Sequence, residues 1–310
     1  MHEKLIEIIC CPSCKGTLQL YKEVVDQGRI KTGSLRCGPC SAEYLIKEFV
    51  PRFVVADRYV DTFSFEWNKF HDVQIDILNN TDLSEQFFRK NTGWTRETLK
   101  GKLILDAGVG AGRYAEVVSR WGGEIVGVDL SYAVDAAYKN TGQRENVHII
   151  QADLFNLPFK PDTFDLIYSI GVLHHTPDTR AAFNSIVPLL KKGGEMSIFV
   201  YHFGEYCYFS NIWRKITIRL PLRLVYYLST IAIPLYYIHK IPMIGLALQF
   251  LLPTANWPNW RWRWLDTFDW YTPKYQNKHT YPEVFRWFKE KGFTEIEIFE
   301  YPICIRGKKG

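Results

Sequence analysis

The chain has no long hydrophobic run. Leu224–Ile238 holds fifteen residues and Ile241–Pro253 thirteen, and Pro234 and Pro242 break them further. Neither reaches the ~20 residues needed to span a bilayer. Met1 to Cys14 carries Glu3 and Glu7 and no extended apolar stretch, so no secretory signal is read and a cytoplasmic protein is expected. Acid is missing from one whole region. Between Tyr206 and Leu265 there is no Asp or Glu, while Arg214, Lys215, Arg219, Arg223, Lys240, Arg261 and Arg263 are all present. The net charge of the chain is only +5, too mild to imply nucleic-acid binding by itself. The bias therefore marks a local site or surface. There is no internal repeat. Disulfides are disfavoured as well: the cysteines number seven, four of them form two close pairs, and with no sign of export such pairs read as metal ligands.

What is present suits a protein of about two domains. Of its 310 residues 47% are hydrophobic and 23% charged, a balance that folds around a core. Residues 1–55 contain the paired cysteines and only short apolar runs, so this segment needs a metal to hold together. Residues 56–100 are aromatic and mixed and read as a helical linker or cover.

From Leu103 onward apolar strands alternate with amphipathic helices. Strands are predicted at Leu103–Asp106, Ile125–Asp129, Val147–Gln151, Phe164–Ser169 and Glu195–Tyr201. Helices are predicted over Arg113–Trp121, over Tyr132–Asn140 with Ser131 as its cap, and over Thr179–Leu190, ending at Gly193-Gly194. Near-continuous apolar strands between helices mean a parallel sheet covered on both faces. The rhythm breaks at His202, giving way to an insertion over 202–270. It resumes in 271–310 with a helix over Pro282–Lys291 and two strands, Thr294–Phe299 and Ile303–Arg306, expected to form an antiparallel edge.

The first predicted strand runs into Asp106-Ala107-Gly108-Val109-Gly110-Ala111-Gly112-Arg113. A dinucleotide fingerprint would need glycine at 113, and arginine stands there. An acid ahead of the glycines suits a ligand with a cationic amino group better than a pyrophosphate. The second strand ends in Asp129, placed to accept from both ribose hydroxyls. The third leads to Asp153-Leu154, where an acid can accept from an adenine amino group. The fourth ends in Ser169-Ile170-Gly171. Three acids at three strand ends around a glycine loop describe a pocket for a nucleoside with a positively charged tail, and S-adenosylmethionine (SAM) fits it.

Over these residues the chain resembles a class I SAM-dependent methyltransferase of the type 11 group. The resemblance rests on LDAGVGAGRY, GVDLS, QADLFNLPF, FDLIYSIGVLHHTPD and LLKKGGE. It implies a Rossmann-like α/β fold with a seven-stranded sheet and SAM as cofactor. It implies that Asp106 and Gly108 hold the methionine end, with Gly110, Gly112 and Arg113 in the same loop. Asp129 would hold the ribose, Asp153 with Leu154 the adenine, and Leu130, Ser169 and Gly171 would border the cofactor site. The flanking pieces DTFSFEWNKF and LDTFDWYTPKYQNKHTYPEVFRWFKEKGF resemble a subgroup found among genes for surface-polysaccharide and lipid modification.

His174 and His175 follow the fourth strand, in a loop that borders the sulfonium pocket in this family. Methyl transfer is an in-line displacement, and alignment and exclusion of water are most of the work. A neutral imidazole can also take the acceptor's proton. His174 is the first candidate for that base and His175 the second. The alternative is that one packs on the sheet and the other shapes the loop.

Cys11-Pro12-Ser13-Cys14 and Cys37-Gly38-Pro39-Cys40 are two C-x2-C knuckles separated by 22 residues. Two such knuckles complete a tetrahedral zinc site, and four thiolates leave no open position, so the zinc is expected to be structural. Cys10 adjoins the site as a competing ligand; Cys207 and Cys304 read as packing residues. The segment resembles the small zinc ribbon attached to other methyltransferases.

The acid-free stretch of the 202–270 insertion, Tyr206–Leu265, carries half of the ten tryptophans (Trp213, Trp257, Trp260, Trp262, Trp264) beside its cations. It reads as a cover over the acceptor. Residues 211–264 could meet an anionic membrane surface, with Arg and Lys at the headgroups and Trp at the interface, or form a greasy cleft. The same helices could pack on the catalytic domain or on a second copy of the chain. RNA stacking is the remaining reading, and long aliphatic runs suit it poorly. The expected function is methyl transfer to a hydroxyl or carbon of an apolar, lipid-linked or glycan metabolite, on a cytoplasmic protein able to rest on the inner face of a membrane. An RNA methyltransferase and a non-catalytic SAM-binding scaffold are the alternatives.

Overall fold

The computed structural model describes the whole chain except residues 55–57, 204–206 and 302, and except the side chains of Arg58, Cys207 and Tyr208. The expected packing role of Cys207 therefore lies outside the described residues. Among the described residues eleven strands form one sheet. They are β1 (Leu18–Asp26), β2 (Arg29–Cys37), β3 (Glu43–Lys47), β4 (Val50–Arg52), β5 (Leu103–Ala107), β6 (Glu124–Asp129), β7 (Val147–Gln151), β8 (Phe164–Ile170), β9 (Leu190–Phe199), β10 (Phe293–Ile298) and β11 (Cys304–Lys309). Their spatial order is β1-β2-β3-β4-β7-β6-β5-β8-β9-β11-β10.

The central five strands pair in parallel. β11 returns antiparallel against β9, and β10 closes the edge against β11. These seven are the sheet expected of the methyltransferase fold. Their apolar continuity has a physical cause: every residue of β7 is buried, and β5, β6 and β8 are buried at nearly every position, because helices cover both faces.

The sheet is larger than seven strands because the N-terminal segment adds four. The antiparallel meander β1–β4 joins the core where Arg52 of β4 pairs in parallel with Gln151 of β7. Around that seam Phe53 N–H donates to the Gln151 carbonyl at 2.8 Å and Cys10 N–H to that of Pro158 at 2.9 Å. Arg52 reaches Gln151 Oε1 at 2.9 Å and Asp135 at 2.6 Å. Leu5, Ile9, Leu35, Ile46 and Phe53 lie in the same buried apolar cluster as Leu105, Val126, Ile150 and Phe159. The segment thus buries its small apolar face against the catalytic domain instead of closing a core of its own.

Two local expectations are corrected. The helix begun at Thr179 stops at Ile186, turns through Val187–Leu189, and yields to β9 at Leu190. Gly193 and Gly194 therefore do not cap a helix. They sit where the register slips between Phe164↔Leu190 and Leu166↔Glu195, with Gly193 at φ +76°. Ser131 is not the terminal cap residue of the next helix, which runs Ala133–Thr141, yet its hydroxyl accepts from Ala133 N–H at 3.1 Å.

The insertion folds into helices Cys207–Thr217, Leu222–Leu228, Ala232–Ile238, Ile244–Leu251 and Trp260–Tyr271. Among the described residues no helix is long and apolar enough to cross a membrane. The Trp260–Tyr271 helix packs on Asp61–Lys69 and closes the carboxyl end of the sheet. Trp262 and Leu265 share a cluster with Phe70 and Val73, and Arg261 pairs with both oxygens of Asp72 at 2.7 Å.

Candidate active site

A cavity of about 320 Å³ opens at the carboxyl ends of β5–β8. This is the place where strand order reverses in an open parallel sheet. One wall is the loop after β5. Gly108 has φ +109°, and a Cβ there would lie 2.3 Å from Val172, so only glycine fits both the backbone and the neighbour. Asp129 fixes the next turn, accepting from Gly110 N–H at 3.0 Å, from Ser131 N–H at 2.9 Å and from the Ser131 hydroxyl at 2.7 Å.

Of the residues singled out from the sequence, Gly108, Gly110, Arg113, Asp129, Leu130, Asp153, Leu154, Gly171 and His175 line this cavity. Asp106, Gly112, Ser169 and His174 do not. Asp106 is buried and accepts from the Tyr168 hydroxyl at 2.8 Å, and burial pushes its carboxyl up to about 8. It buttresses the loop from behind. Gly112 starts the Arg113–Arg120 helix in a left-handed conformation, and the Ser169 hydroxyl donates to the Ala107 carbonyl at 2.6 Å.

The two histidines divide in the opposite sense to the one expected. His174, the first candidate, is fully buried outside the cavity wall, and neither ring nitrogen has a hydrogen-bond partner among the described residues. Its ring lies on that of Tyr201. His175 borders the cavity and donates from Nδ1 to the Tyr275 carbonyl at 2.9 Å, which leaves Nε2 as the acceptor. Desolvation pushes His175 down to about 4 and His174 further below its ordinary value. An imidazole that holds a proton this weakly is a poor base at neutral pH.

The opposite wall was not singled out residue by residue. Glu66 comes from the Asp61–Lys69 helix, Asp266 and Asp269 from Trp260–Tyr271, and Tyr201 from just beyond β9. Asp266 is engaged by Trp257 Nε1 and by Gln74 Nε2, the latter at 3.3 Å. Asp269 accepts from the Tyr201 hydroxyl at 3.4 Å. Glu66 is completely buried, and among the described residues neither of its carboxyl oxygens has a partner. Burial pushes Asp266 up to about 6 and Asp269 up to about 7, and Glu66 lies well above its usual range. The aromatic rings of Tyr59, Phe63, Trp67, Trp257, Trp262 and Trp270 complete this half. The available signal was the helical spacing of Trp262, Asp266, Asp269 and Trp270, which places them on one face; Glu66 lies in the first of the two flanking pieces noted for their resemblance, and Asp266, Asp269 and Trp270 in the second.

The Arg/Trp cluster of the insertion mostly faces inward. Arg263 is buried and donates to the carbonyls of Trp257 and Pro258. Trp264 Nε1 donates to the Tyr226 carbonyl at 2.7 Å. Trp260 remains half exposed.

In the N-terminal segment, the sulfurs of Cys11, Cys14, Cys37 and Cys40 lie within 4.8 Å of one another, and Cys10 is outside that group. Four convergent sulfurs on two tight turns are the donor set of a closed, structural zinc site. Cys304 is buried, as expected of a packing residue, and its thiol donates to the Asn91 carbonyl at 2.6 Å.

Comparison with known proteins agrees with both halves of this architecture. Residues 105–198 match the methyltransferase domain family Methyltransf_11, and residues 2–48 match the Trm112p-like family. The central segment is a class I methyltransferase domain, the fold that uses SAM, and it carries a Trm112-like zinc-binding segment ahead of it. Over 101 residues the chain is 32% identical to ubiquinone biosynthesis O-methyltransferase of Coxiella burnetii, covering 32% of this chain and 43% of that protein. Over 124 residues it is 31% identical to the probable tRNA methyltransferase 9B of Mus musculus, covering 39% and 26% respectively. The chain thus spans less than half the length of these curated relatives. Among solved structures, a complex holding the Haloferax volcanii Trm112 methyltransferase activator aligns over 79% of this chain and 96% of that one, with 13% identity and a TM-score of 0.47.

Proposed function

We propose that the chain transfers the methyl group of SAM to a small acceptor held in the aromatic half of the cavity. One observation supports this reading: the glycine loop, Asp129 and Asp153 line a cavity whose other wall comes from the Asp61–Lys69 helix, Tyr201 and the insertion. Gly108 and Gly110 let backbone approach the cofactor, Asp129 accepts from the ribose hydroxyls, and Asp153 with Leu130 and Leu154 holds the adenine. Asp106 acts on the methionine end indirectly, by fixing the loop. When bound, the cofactor supplies a methyl group made electrophilic by a sulfonium. The chain's own part is to align the acceptor, exclude water with Trp67, Trp257 and Trp262, and present the neutral Nε2 of His175 as a hydrogen-bond acceptor.

The acceptor is apolar in most of its surface, because rings line its half of the cavity. A lipid-linked or glycan-lipid metabolite suits the outer face of the cover as well. Ile216, Leu224, Tyr227, Met243, Ile244 and Leu246 are exposed there, with Lys215, Arg219, Arg223 and Lys240 exposed beside them. An apolar face rimmed by cations fits an anionic membrane surface. RNA fits it less well, because the exposed side chains are largely aliphatic and do not stack on bases.

Calorimetry with SAM and S-adenosylhomocysteine tests the cofactor half. Binding by the wild type and a loss of at least tenfold in Asp129→Ala are expected, and wild-type protein that binds neither would overturn the reading. Transfer of labelled methyl from SAM into an organic-soluble product of a whole-cell extract tests the acceptor half.

A further inference from the structure

The unpartnered carboxyl of Glu66 requires an occupant. A buried polar group left without a partner is costly, and among the described residues Glu66 has two such oxygens in the middle of a helix, at the edge of the cavity. Three acids share this wall, and they are not equivalent. Asp266 is already held by Trp257 and Gln74. Asp269 has one long hydrogen bond, from Tyr201 to Oδ2. Glu66 has none. The wall therefore offers carboxyl oxygens to a ligand that brings a donor, on a surface otherwise made of rings.

We propose that this wall is the acceptor's reacting subsite, that Asp269 receives the proton of an acceptor hydroxyl, and that Glu66 orients that hydroxyl, so that the substrate class is an apolar molecule methylated on oxygen. This rests on the methyl-transfer reading above. The acceptor oxygen forms a bond to the methyl carbon as the carbon–sulfur bond breaks, and that electron pair stays on sulfur. The hydroxyl proton passes to the carboxylate of Asp269 and leaves to solvent after the product. Asp269, pushed up to about 7, is matched to taking a proton at neutral pH. Asp266 from its own helix, Tyr201 beyond β9 and Glu66 from the Asp61–Lys69 helix act on it directly, and the other titratable or charged groups lining the cavity are Tyr59, Arg113, Tyr114, Asp129, Asp153 and His175. Burial favours the protonated form of Glu66, in which the carboxyl can both donate to and accept from the same hydroxyl.

The test uses the full chain, SAM labelled in its methyl group and a whole-cell lipid and small-molecule extract. The labelled product is heated in hydriodic acid, which releases O-methyl groups as volatile methyl iodide and leaves N- and C-methyl groups in place. Volatile label is expected. Asp269→Asn should lower transfer about 100-fold or more, and Glu66→Gln about tenfold, while both variants bind S-adenosylhomocysteine within about twofold of the wild type. The wild-type rate should rise with pH with a midpoint near 7, and Asp269→Asn should lose that midpoint. Involatile label, as from an amine acceptor, overturns the proposal, and so does an Asp269→Asn variant with the wild-type rate and pH profile. If the protein binds SAM but transfers no label, the methyl-transfer reading beneath the proposal falls with it.

Discussion

The ring of His174 lies on the ring of Tyr201 with centroids 3.8 Å apart and 28° between the planes. Tyr201 in turn reaches Asp269 through its hydroxyl. The residue first expected to act as a base thus supports a wall of the site from behind. With no hydrogen bond to lose, His174→Phe should keep the stack and unfold in urea within about 1 kcal/mol of the wild type. His174→Ala removes the ring and should cost roughly 3 kcal/mol, in the range of other large-to-small aromatic deletions, with turnover reduced as well. Equal loss by Phe and Ala would show that the imidazole nitrogens matter after all.

Asp106 should leave a signature in stability against pH. Its folded value, about 8, lies above the usual carboxylate range. Such an acid stabilises the fold fully below its unfolded pKa, and that contribution is lost as pH rises through the folded value. The stability difference between Asp106→Asn and the wild type should therefore shift in the variant's favour between pH 4 and about 8, then level off. A difference that is flat over that window in thermal melts would remove the assignment.

The histidines work with the opposite sign. His148 is buried against Glu124 at 3.0 Å and pushed down to about 4. Its neutral form stabilises the fold above the unfolded value of about 6.5, and the contribution disappears as pH falls towards 4. His148→Gln should soften the acid transition between pH 6.5 and 4. Melts that superimpose on the wild type throughout that range would contradict it.

Metal analysis should give one zinc per chain. Cys14→Ser, or a strong chelator, should loosen the N-terminal meander and with it the seam at Arg52 and Gln151. A loss of about 3 kcal/mol would lower Tm by roughly 6–12 °C. A metal-free protein with an unchanged Tm would make the cysteine cluster irrelevant to stability.

Vesicles test the outer face of the insertion. Flotation with anionic vesicles at low salt should carry the wild type, and Leu246→Asp combined with Met243→Asp should abolish it. Arg261→Gln should float as the wild type does, because Arg261 is committed to Asp72. Failure of the wild type to float would leave the exposed apolar face to a second copy of the chain, seen as a dimer in light scattering.

The strands from Leu103 to Phe199 were legible because a parallel sheet buried on both faces writes itself as unbroken apolar runs. The glycine loop was legible because few ligands need that spacing of glycine and acid. The start of β9 was not, since Leu190-Lys191-Lys192-Gly193-Gly194 carries charge and two glycines and pairs only through a register slip. The division between His174 and His175 was hidden too: adjacent residues in a turn point to different sides, and no periodicity says which side is the cavity. The acceptor wall was the least visible. It is assembled from Glu66, Tyr201 and Asp269, which are far apart in sequence, and an acid inside an aromatic helix has the same pattern whether it faces water or a pocket.

The seam between β4 and β7 has a consequence for how the chain is made. The meander's own pairings span few residues and can form early, with zinc, as soon as Lys47 and its neighbours emerge. The surface that receives Leu5, Ile9 and Cys10 is built from residues near 150–159, about a hundred positions later. For that interval of synthesis the ribbon is folded but undocked, with its apolar side uncovered. Order of emergence, as much as final stability, decides whether the nascent chain is vulnerable. A proteolysis time course on stalled ribosomes would show protection of the N-terminal segment arriving only once Phe159 has left the exit tunnel.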